Sequence, residues 1–92
     1  MKNLKLLKIR KKLDKLDDKF LVLIKKRTDL VNQVLLTKVY KNQIIDKKRI
    51  RKILSNIKSK SIKKKIDTKI TYSIWKAMIN AYIKYEFRNF KK

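Results

Sequence analysis

The chain has 92 residues, and 29 Lys and Arg against 7 Asp and Glu give it a formal net charge of +22. It contains no Cys, His, Gly or Pro, which excludes disulfides, thiolate nucleophiles, zinc clusters, imidazole bases and glycine-rich phosphate loops. A chain of this length is limited to one domain with a marginal core, so we expect no metal or cofactor and some help from a partner chain.

The composition is that of a folded, soluble protein. Apolar residues make up 43% of the chain, despite 39% charged residues, and this is close to the globular average. The longest apolar run covers residues 20–24, far short of the roughly 20 residues that span a bilayer. Charges interrupt the apolar residues near the start, so no secretory signal is predicted. We therefore expect a cytoplasmic protein without a membrane partner.

Most of the positive charge comes from lysine, which accounts for 24 of the 29 cations. Together with abundant Ile and Asn, this is typical of drift toward AT-rich codons, and it says little about binding partners. The cations are also distributed over the whole chain, which does not favour a nucleic-acid partner. The five arginines are therefore more informative: Arg10, Arg27, Arg49, Arg51 and Arg88.

A long first helix is predicted from Leu4 to Tyr40, where apolar residues recur at heptad spacing. The two series are Leu6, Leu13, Phe20 and Val34, and Ile9, Leu16, Leu23 and Leu30. Such a helix is about 55 Å long, which exceeds the diameter of a globule of this chain length. The rest of the chain is too short to cover the apolar stripe. A second copy, antiparallel or intertwined, is expected to cover it.

Two further helices complete an all-α prediction of one long, one short and one medium helix. The pattern lapses over residues 41–45, and Asp46 then occupies an N-cap position before the short helix. We expect this helix to fade into a polar connection between Ser55 and Lys65. The third helix is predicted from Ile66 or Asp67 to Phe90. Its predicted inward residues are Ile66, Ile70, Ile74, Ala77, Met78, Ala81 and Tyr85.

Arg27 occupies a position of the apolar stripe, where a charge is costly unless it meets an anion. Lys38 follows eleven residues later, about three turns, so the two cations share a face of the predicted helix. Together they could bracket a small dianion. The alternative, equally open, is that Arg27 snorkels or pairs with a carboxylate at a dimer seam.

Two other arginines extend this set. Arg10 lies about 100° around the helix from Arg27, so in a paired dimer it could serve the site of the other chain. Arg49 follows Asp46 by three residues and could be oriented by it. An ordinary ion pair at the start of the second helix explains the Asp46 and Arg49 spacing as well.

The order of these residues carries a family resemblance. Arg10, the pair Leu16-Asp17, Arg27, the pair Leu30-Val31, Lys38 and the run Asp46-Lys47-Lys48-Arg49 follow one another along the chain. This order resembles the all-α class of chorismate mutases, whose pattern is R…(I/L)D…R…LV…K followed by D-x-x-R-E. The resemblance covers the chain from about Leu4 to Phe90.

The resemblance implies a fold, a reaction and a site. Residues 1–92 would form a single helical domain in an intertwined homodimer with two sites. Each site would isomerise chorismate, a small dianion, to prephenate in the shikimate pathway of aromatic amino-acid biosynthesis. Arg27, Lys38, Asp46 and Arg49 would hold the substrate from one chain, and Arg10 would reach in from the other. Lys38 and Glu86 would be the catalytic residues.

Three departures from the family pattern keep alternatives open. Ile50 replaces the Glu that contacts the substrate hydroxyl, Tyr82 takes the place usual for Ser, and Glu86 takes the place usual for Gln. Ile50 and Tyr82 resemble the related isochorismate-pyruvate lyases, which form salicylate and pyruvate. Glu86 could assist only as the protonated acid, since the ionised carboxylate would repel the developing negative charge. A non-enzymatic, basic nucleic-acid-binding module is the remote alternative.

Overall fold

The computed structural model describes residues 2–91, which form three α-helices, with no strand in this range. Helix α1 spans Lys2–Thr37, helix α2 spans Lys47–Lys63 and helix α3 spans Thr68–Asn89. A short 3₁₀ helix, Lys41–Gln43, lies between α1 and α2. The predicted all-α fold of three helices is thereby confirmed, and their lengths follow the predicted order of long, short and medium.

The chain divides into two compact units, the first ending at Gln33 and the second beginning at Val34. The first unit is entirely helical over its described residues. Every residue from Asn3 to Lys26 is exposed, including the six members of the predicted heptad series that lie in this range, and Leu30 is exposed as well. Four residues in this unit are half-buried: Arg27, Thr28, Val31 and Asn32.

The second unit contains the end of α1, the 3₁₀ helix, and helices α2 and α3, which pack against each other. Leu35, Ile44 and Ile79 are its buried apolar residues. On α2 the apolar residues lie on one face and are half-buried: Ile50, Ile53, Leu54 and Ile57. This spacing is what a 3.6-residue period requires of a helix with one packed face.

A polar contact lies inside the packing of α2 on α3. The hydroxyl of Ser61 donates to the carbonyl of Ile57 at 2.6 Å and lies 2.8 Å from the hydroxyl of Thr71. Both residues are buried. Because buried hydroxyls are costly unless they are hydrogen-bonded, this pair favours one register of α2 against α3.

Helix α2 ends in a Schellman motif that lacks the usual glycine. The backbone N–H of Ile66 donates to the carbonyl of Ser61 at 2.9 Å, and that of Lys65 donates to the carbonyl of Ile62 at 3.1 Å. Lys65 has a φ of 58°, in the left-handed region that favours glycine at this position. The chain contains no glycine, so a lysine adopts the strained conformation.

Two predicted helix boundaries are wrong. Helix α1 ends at Thr37 instead of Tyr40, because the backbone N–H groups of Val39 and Tyr40 donate to the side-chain oxygen of Gln43. Helix α2 does not fade after Ser55 but continues to Lys63. Serine and asparagine on an exposed helix face lower helix propensity only slightly, so they do not end a helix whose other face is packed.

The predicted inward face of α3 is also wrong for most of its residues. Ile66, Ile70 and Ile74 are exposed, as are Ala77 and Ala81, whereas Met78 and Tyr85 are half-buried. The buried residues of α3 are Thr71, Ile79 and Glu86. Apolar residues lie on both sides of this helix, and hydrogen bonding by Thr71 and Glu86 determines which side is buried. Helix α3 is capped by Asp67, whose carboxylate accepts a hydrogen bond from the backbone N–H of Lys69 at 2.8 Å; the sequence predicted a helix start near this residue but no cap.

No helix within residues 2–91 is both long and apolar enough to cross a membrane.

The strain at Lys65 yields a stability prediction. Lys65→Gly is expected to raise the free energy of unfolding by about 1 kcal/mol, because glycine reaches the left-handed region without the Cβ penalty. Urea denaturation followed by circular dichroism measures the change. Lys64→Gly is the matched control, because Lys64 has an ordinary φ of −90°. An equal gain in both variants would show that strain at Lys65 is not the cause.

Candidate active site

An ion pair joins the segment after α1 to helix α3. Lys38 is the first residue beyond α1, and its backbone N–H donates to the carbonyl of Leu35 at 3.1 Å. Its Nζ lies 3.1 Å from Oε1 of Glu86, 48 residues further along the chain. The two side chains are only 15% and 9% exposed. The pair is therefore largely removed from water, and its geometry is fixed from two separate elements.

Burial distinguishes this pair from a surface ion pair. Lys25 and Asp29 also lie 3.0 Å apart, but their side chains are 76% and 52% exposed on one helix, where such pairs contribute little. In the drier surroundings of Lys38 and Glu86 each charge depends on the other, because neither can be solvated fully. A fixed, partly desolvated ammonium can stabilise negative charge that develops on a bound molecule.

Asp46 caps helix α2, as the sequence predicted. Its carboxylate accepts a hydrogen bond from the backbone N–H of Arg49 at 3.0 Å. The contact is thus a helix cap with the backbone of Arg49, and the guanidinium side chain belongs to an exposed residue. Ile50 follows as a half-buried residue on the packed face of α2. The cap orders the first turn, and that turn carries both Arg49 and Ile50.

An open cavity of about 560 Å³ brings Lys38 and Asp46 to one place. Its other lining residues are Thr37, Gln43, Ile45 and Lys47. The volume is in the range of small-molecule sites, and the charged residues of the lining are two lysines and one aspartate. Two residues predicted from separate parts of the sequence thus line the same cavity.

Tyr82 lies one helical turn before Glu86 on α3, so the two residues share a face. Tyr82 is half-buried, and its ring meets that of Tyr85 edge to face with centroids 6.3 Å apart. The guanidinium of Arg88 lies 6.0 Å from the centre of the Tyr85 ring. Aromatic and cation contacts of this kind hold the tyrosines in defined orientations.

Arg10 and Arg27 lie in the first unit, on helix α1. Arg10 is exposed, which suits a residue predicted to act on another chain. Arg27 belongs to the half-buried group at residues 27–32. Their part in a common site with Lys38 stays a prediction.

Sequence reasoning missed four lining residues of the cavity: Thr37, Gln43, Ile45 and Lys47. The signal for Gln43 was present: it follows Tyr40 by three residues, the spacing of a capping box in which a Gln side chain accepts from the backbone at the start of a helix. Lys47 is one of many lysines, and no pattern distinguishes it. Among residues 2–91 no group of His, Cys, Asp or Glu is arranged to hold a metal ion.

Comparison with known proteins adds one match. A family model described as chorismate mutase type II matches residues 9–87. This span includes all eight residues predicted for the site, from Arg10 to Glu86. Comparisons with curated proteins and with solved structures found no significant match.

The buried ion pair yields a stability prediction. Lys38→Met is expected to lower the free energy of unfolding by about 3 kcal/mol, because it leaves the Glu86 carboxylate buried without its partner. The double variant Lys38→Met, Glu86→Leu should recover most of this loss, since no charge then stays buried. Urea denaturation of the parent, both single variants and the double variant measures the coupling. Additive losses would contradict a coupled pair.

Proposed function

The chain belongs to the chorismate mutase type II family, an all-α family of isomerases, and we propose that it rearranges chorismate to prephenate in the site around Lys38. The observation that carries the proposal is that the family match includes Lys38, Asp46 and Glu86, while Lys38 contacts Glu86 and lines one cavity with Asp46. Prephenate would then feed aromatic amino-acid biosynthesis through the shikimate pathway, in the cytoplasm.

The reaction suits a chain without His or Cys. Chorismate rearranges in one unimolecular, pericyclic step, which needs no nucleophile, metal or general base. The protein must hold a compact conformer of the substrate, and it must place positive charge near the ether oxygen as its C–O bond breaks. Lys38 is the residue that we assign to the ether oxygen, because Glu86 holds its ammonium in a fixed place and Lys38 is among the residues that line the cavity.

Arginines would anchor the two carboxylates of the substrate. A guanidinium presents paired N–H groups that match both oxygens of a carboxylate. Arg27 and Arg49 take this role from one chain. Asp46 contributes by capping the first turn of α2, because the cap fixes the backbone from which the Arg49 side chain extends.

Glu86 gives this site its own chemistry. Ionised, it pairs with Lys38 and neutralises part of the positive charge that the reaction requires. Protonated, it donates a hydrogen bond to the ether oxygen and leaves the ammonium of Lys38 unopposed. We therefore assign catalysis to the form of the site in which Glu86 carries a proton.

A homodimer belongs to the same proposal, with Arg10 entering the site of the other chain. The support comes from α1, where the apolar residues of both heptad series are exposed, Leu30 at 60% and Phe20 at 58% among them. An unpaired stripe of this length favours association in water. Each chain, residues 1–92, would be a single domain. In an intertwined dimer, each chain would cover the apolar stripe of the other and supply Arg10 to the other's site.

Isochorismate-pyruvate lyase is the second candidate function. Ile50 and Tyr82 favour it, because both are half-buried in the same unit as Lys38, and both depart from the mutase pattern. The reaction has the same electrostatic needs, since a C–O bond breaks in a dianionic substrate. Its products are salicylate and pyruvate.

Nucleic-acid binding without catalysis is the remote candidate. Residues 47–65 hold ten Lys and Arg and no acidic residue, so positive charge is densest around α2. Binding of this kind weakens steeply as salt is raised, because it depends on released counterions.

One experiment separates the three candidates. The purified protein is incubated with chorismate and, separately, with isochorismate, and the products are identified by chromatography and mass spectrometry. We expect prephenate from chorismate. Salicylate and pyruvate from isochorismate alone would identify the lyase. Consumption of neither substrate, together with salt-sensitive binding of a DNA duplex, would replace both enzymatic candidates.

The role of Glu86 predicts a pH dependence. The turnover rate is expected to rise as the pH falls, because only the protonated carboxyl donates to the ether oxygen. Glu86→Gln, which donates a hydrogen bond at every pH, should flatten the profile and raise the rate at neutral pH. Initial rates are measured across the acidic and neutral range at saturating chorismate. A pH-independent rate in the parent protein would contradict the assignment.

The shared site predicts complementation between inactive variants. Lys38→Ala, Arg27→Ala and Arg10→Ala should each lower kcat/KM by at least about a hundredfold, since each removes a charge that contacts the transition state. Circular dichroism verifies that each variant is folded at the assay temperature. Co-refolding Arg10→Ala with Lys38→Ala in equal amounts should restore about a quarter of the parent activity, because mixed dimers contain one intact site. No recovery would place Arg10 in the site of its own chain, and parent-like activity of Arg10→Ala alone would place it outside any site.

A further inference from the structure

Gln43 caps the 3₁₀ helix, and its contacts extend beyond that cap to the residue next to Lys38. Its Oε1 accepts hydrogen bonds from two consecutive backbone N–H groups, those of Val39 at 2.7 Å and Tyr40 at 2.9 Å. Its own backbone N–H donates to the carbonyl of Tyr40 at 3.0 Å. We call these three hydrogen bonds the Gln43 clasp. They close a tight ring immediately after Lys38.

Lys38 depends on such a support because it lies outside the helix. Helix α1 ends at Thr37, so the residues that follow have lost the i to i−4 hydrogen bonds that hold a helical backbone. The Lys38 backbone is held on one side by its hydrogen bond to Leu35. On the other side, the clasp binds the next two N–H groups. Without the clasp, both groups would have to turn toward water.

The place of the clasp links it to the cavity. Gln43 lines the same cavity as Lys38 and Asp46, yet its side chain is exposed and contributes nothing to the buried core. Ile44, the next residue, is only 3% exposed, so its burial anchors the segment between α1 and α2. An exposed glutamine at such a position has no packing reason to be ordered. Its order comes from the two N–H groups that it binds.

We propose that Gln43 is a positioning residue for Lys38: its side-chain oxygen holds the backbone at Val39 and Tyr40 so that the Lys38 ammonium stays at Glu86. The consequence for catalysis rests on the proposed function, since it requires that Lys38 act on the substrate. Loss of the clasp lets the ammonium move, and displacements of about 1 Å in a catalytic group can lower a rate about a hundredfold.

Three variants test the proposal. Gln43→Met keeps the length of the side chain but removes the acceptor oxygen, so it breaks the clasp. Gln43→Glu keeps an acceptor for both N–H groups but removes the amide donors. Asn42→Ala is the matched control, because Asn42 is an exposed neighbour in the same 3₁₀ helix.

Steady-state kinetics with chorismate give the first readout. Gln43→Met is expected to lower kcat by about 10- to 100-fold with little change in KM, because positioning acts on the transition state. Gln43→Glu should lower kcat less than Gln43→Met does, because it keeps the clasp, although its negative charge offsets part of the positive charge at the cavity and raises KM for a dianion. Asn42→Ala should match the parent. A kcat in Gln43→Glu as low as that in Gln43→Met would overturn the proposal, since the amide would then act on the substrate directly.

NMR spectroscopy without substrate gives a second readout that does not depend on turnover. The amides of Val39 and Tyr40, and the ammonium of Lys38, should be protected from solvent exchange in the parent and in Gln43→Glu. In Gln43→Met, all three groups should lose their protection from solvent exchange. If the parent turns over no chorismate but this pattern holds, the proposed function fails and the positioning role stands. Retained protection of the Lys38 ammonium in Gln43→Met, or complete unfolding of that variant, would overturn the positioning role.

Discussion

The contact between Lys38 and Glu86 fixes two distant elements of the second unit against each other. It joins the segment that leaves α1 to the last turns of α3, across 48 residues of sequence. Both charges are largely withdrawn from water, so neither can leave without stranding the other. The face that α3 buries, the place where α1 must end and the position of the Lys38 ammonium all have to agree with this pair. A net gain in stability is not required for such a role, because the cost of breaking the pair is sufficient to specify the arrangement.

The absence of glycine and proline determines how the connections are built. Side chains perform the tasks that these two residues usually perform. Asp46 and Asp67 cap the starts of α2 and α3, the side chain of Gln43 binds backbone N–H groups after α1, and Lys65 adopts a left-handed conformation at the end of α2. The conformation of each connection therefore depends on one particular residue. The turn beside Lys38 is the most consequential of these, because it lies next to the residue that the proposed chemistry needs most.

Family membership and the unusual composition are both compatible with a reaction that needs no reactive side chain. A pericyclic rearrangement needs placement and charge but no reactive side chain, so a chain without His or Cys is a suitable catalyst. The excess of lysine adds little to this argument, because charge on exposed helix faces is screened at physiological salt. What distinguishes Lys38 from the other lysines is its burial beside a carboxylate at a cavity. Glu86 stands where the family resemblance expects Gln. In the proposed function, the net charge around Lys38 therefore depends on whether Glu86 carries a proton.

The sequence by itself determined the helical class, the approximate limits of most helices, the cap at Asp46 and the family, because periodicity, cap chemistry and the order of charged residues are local properties. It also placed Lys38 and Glu86 in one site through the family resemblance. Only the tertiary structure decided which face of α3 is buried, since Ile70 and Ile74 on one side were as plausible as Ile79 on the other. It also extended α2 to Lys63 and assigned a task to Gln43. These outcomes depend on hydrogen bonds and ion pairs between distant residues, such as Ser61 with Thr71 and Lys38 with Glu86, and no local pattern encodes which polar groups will meet.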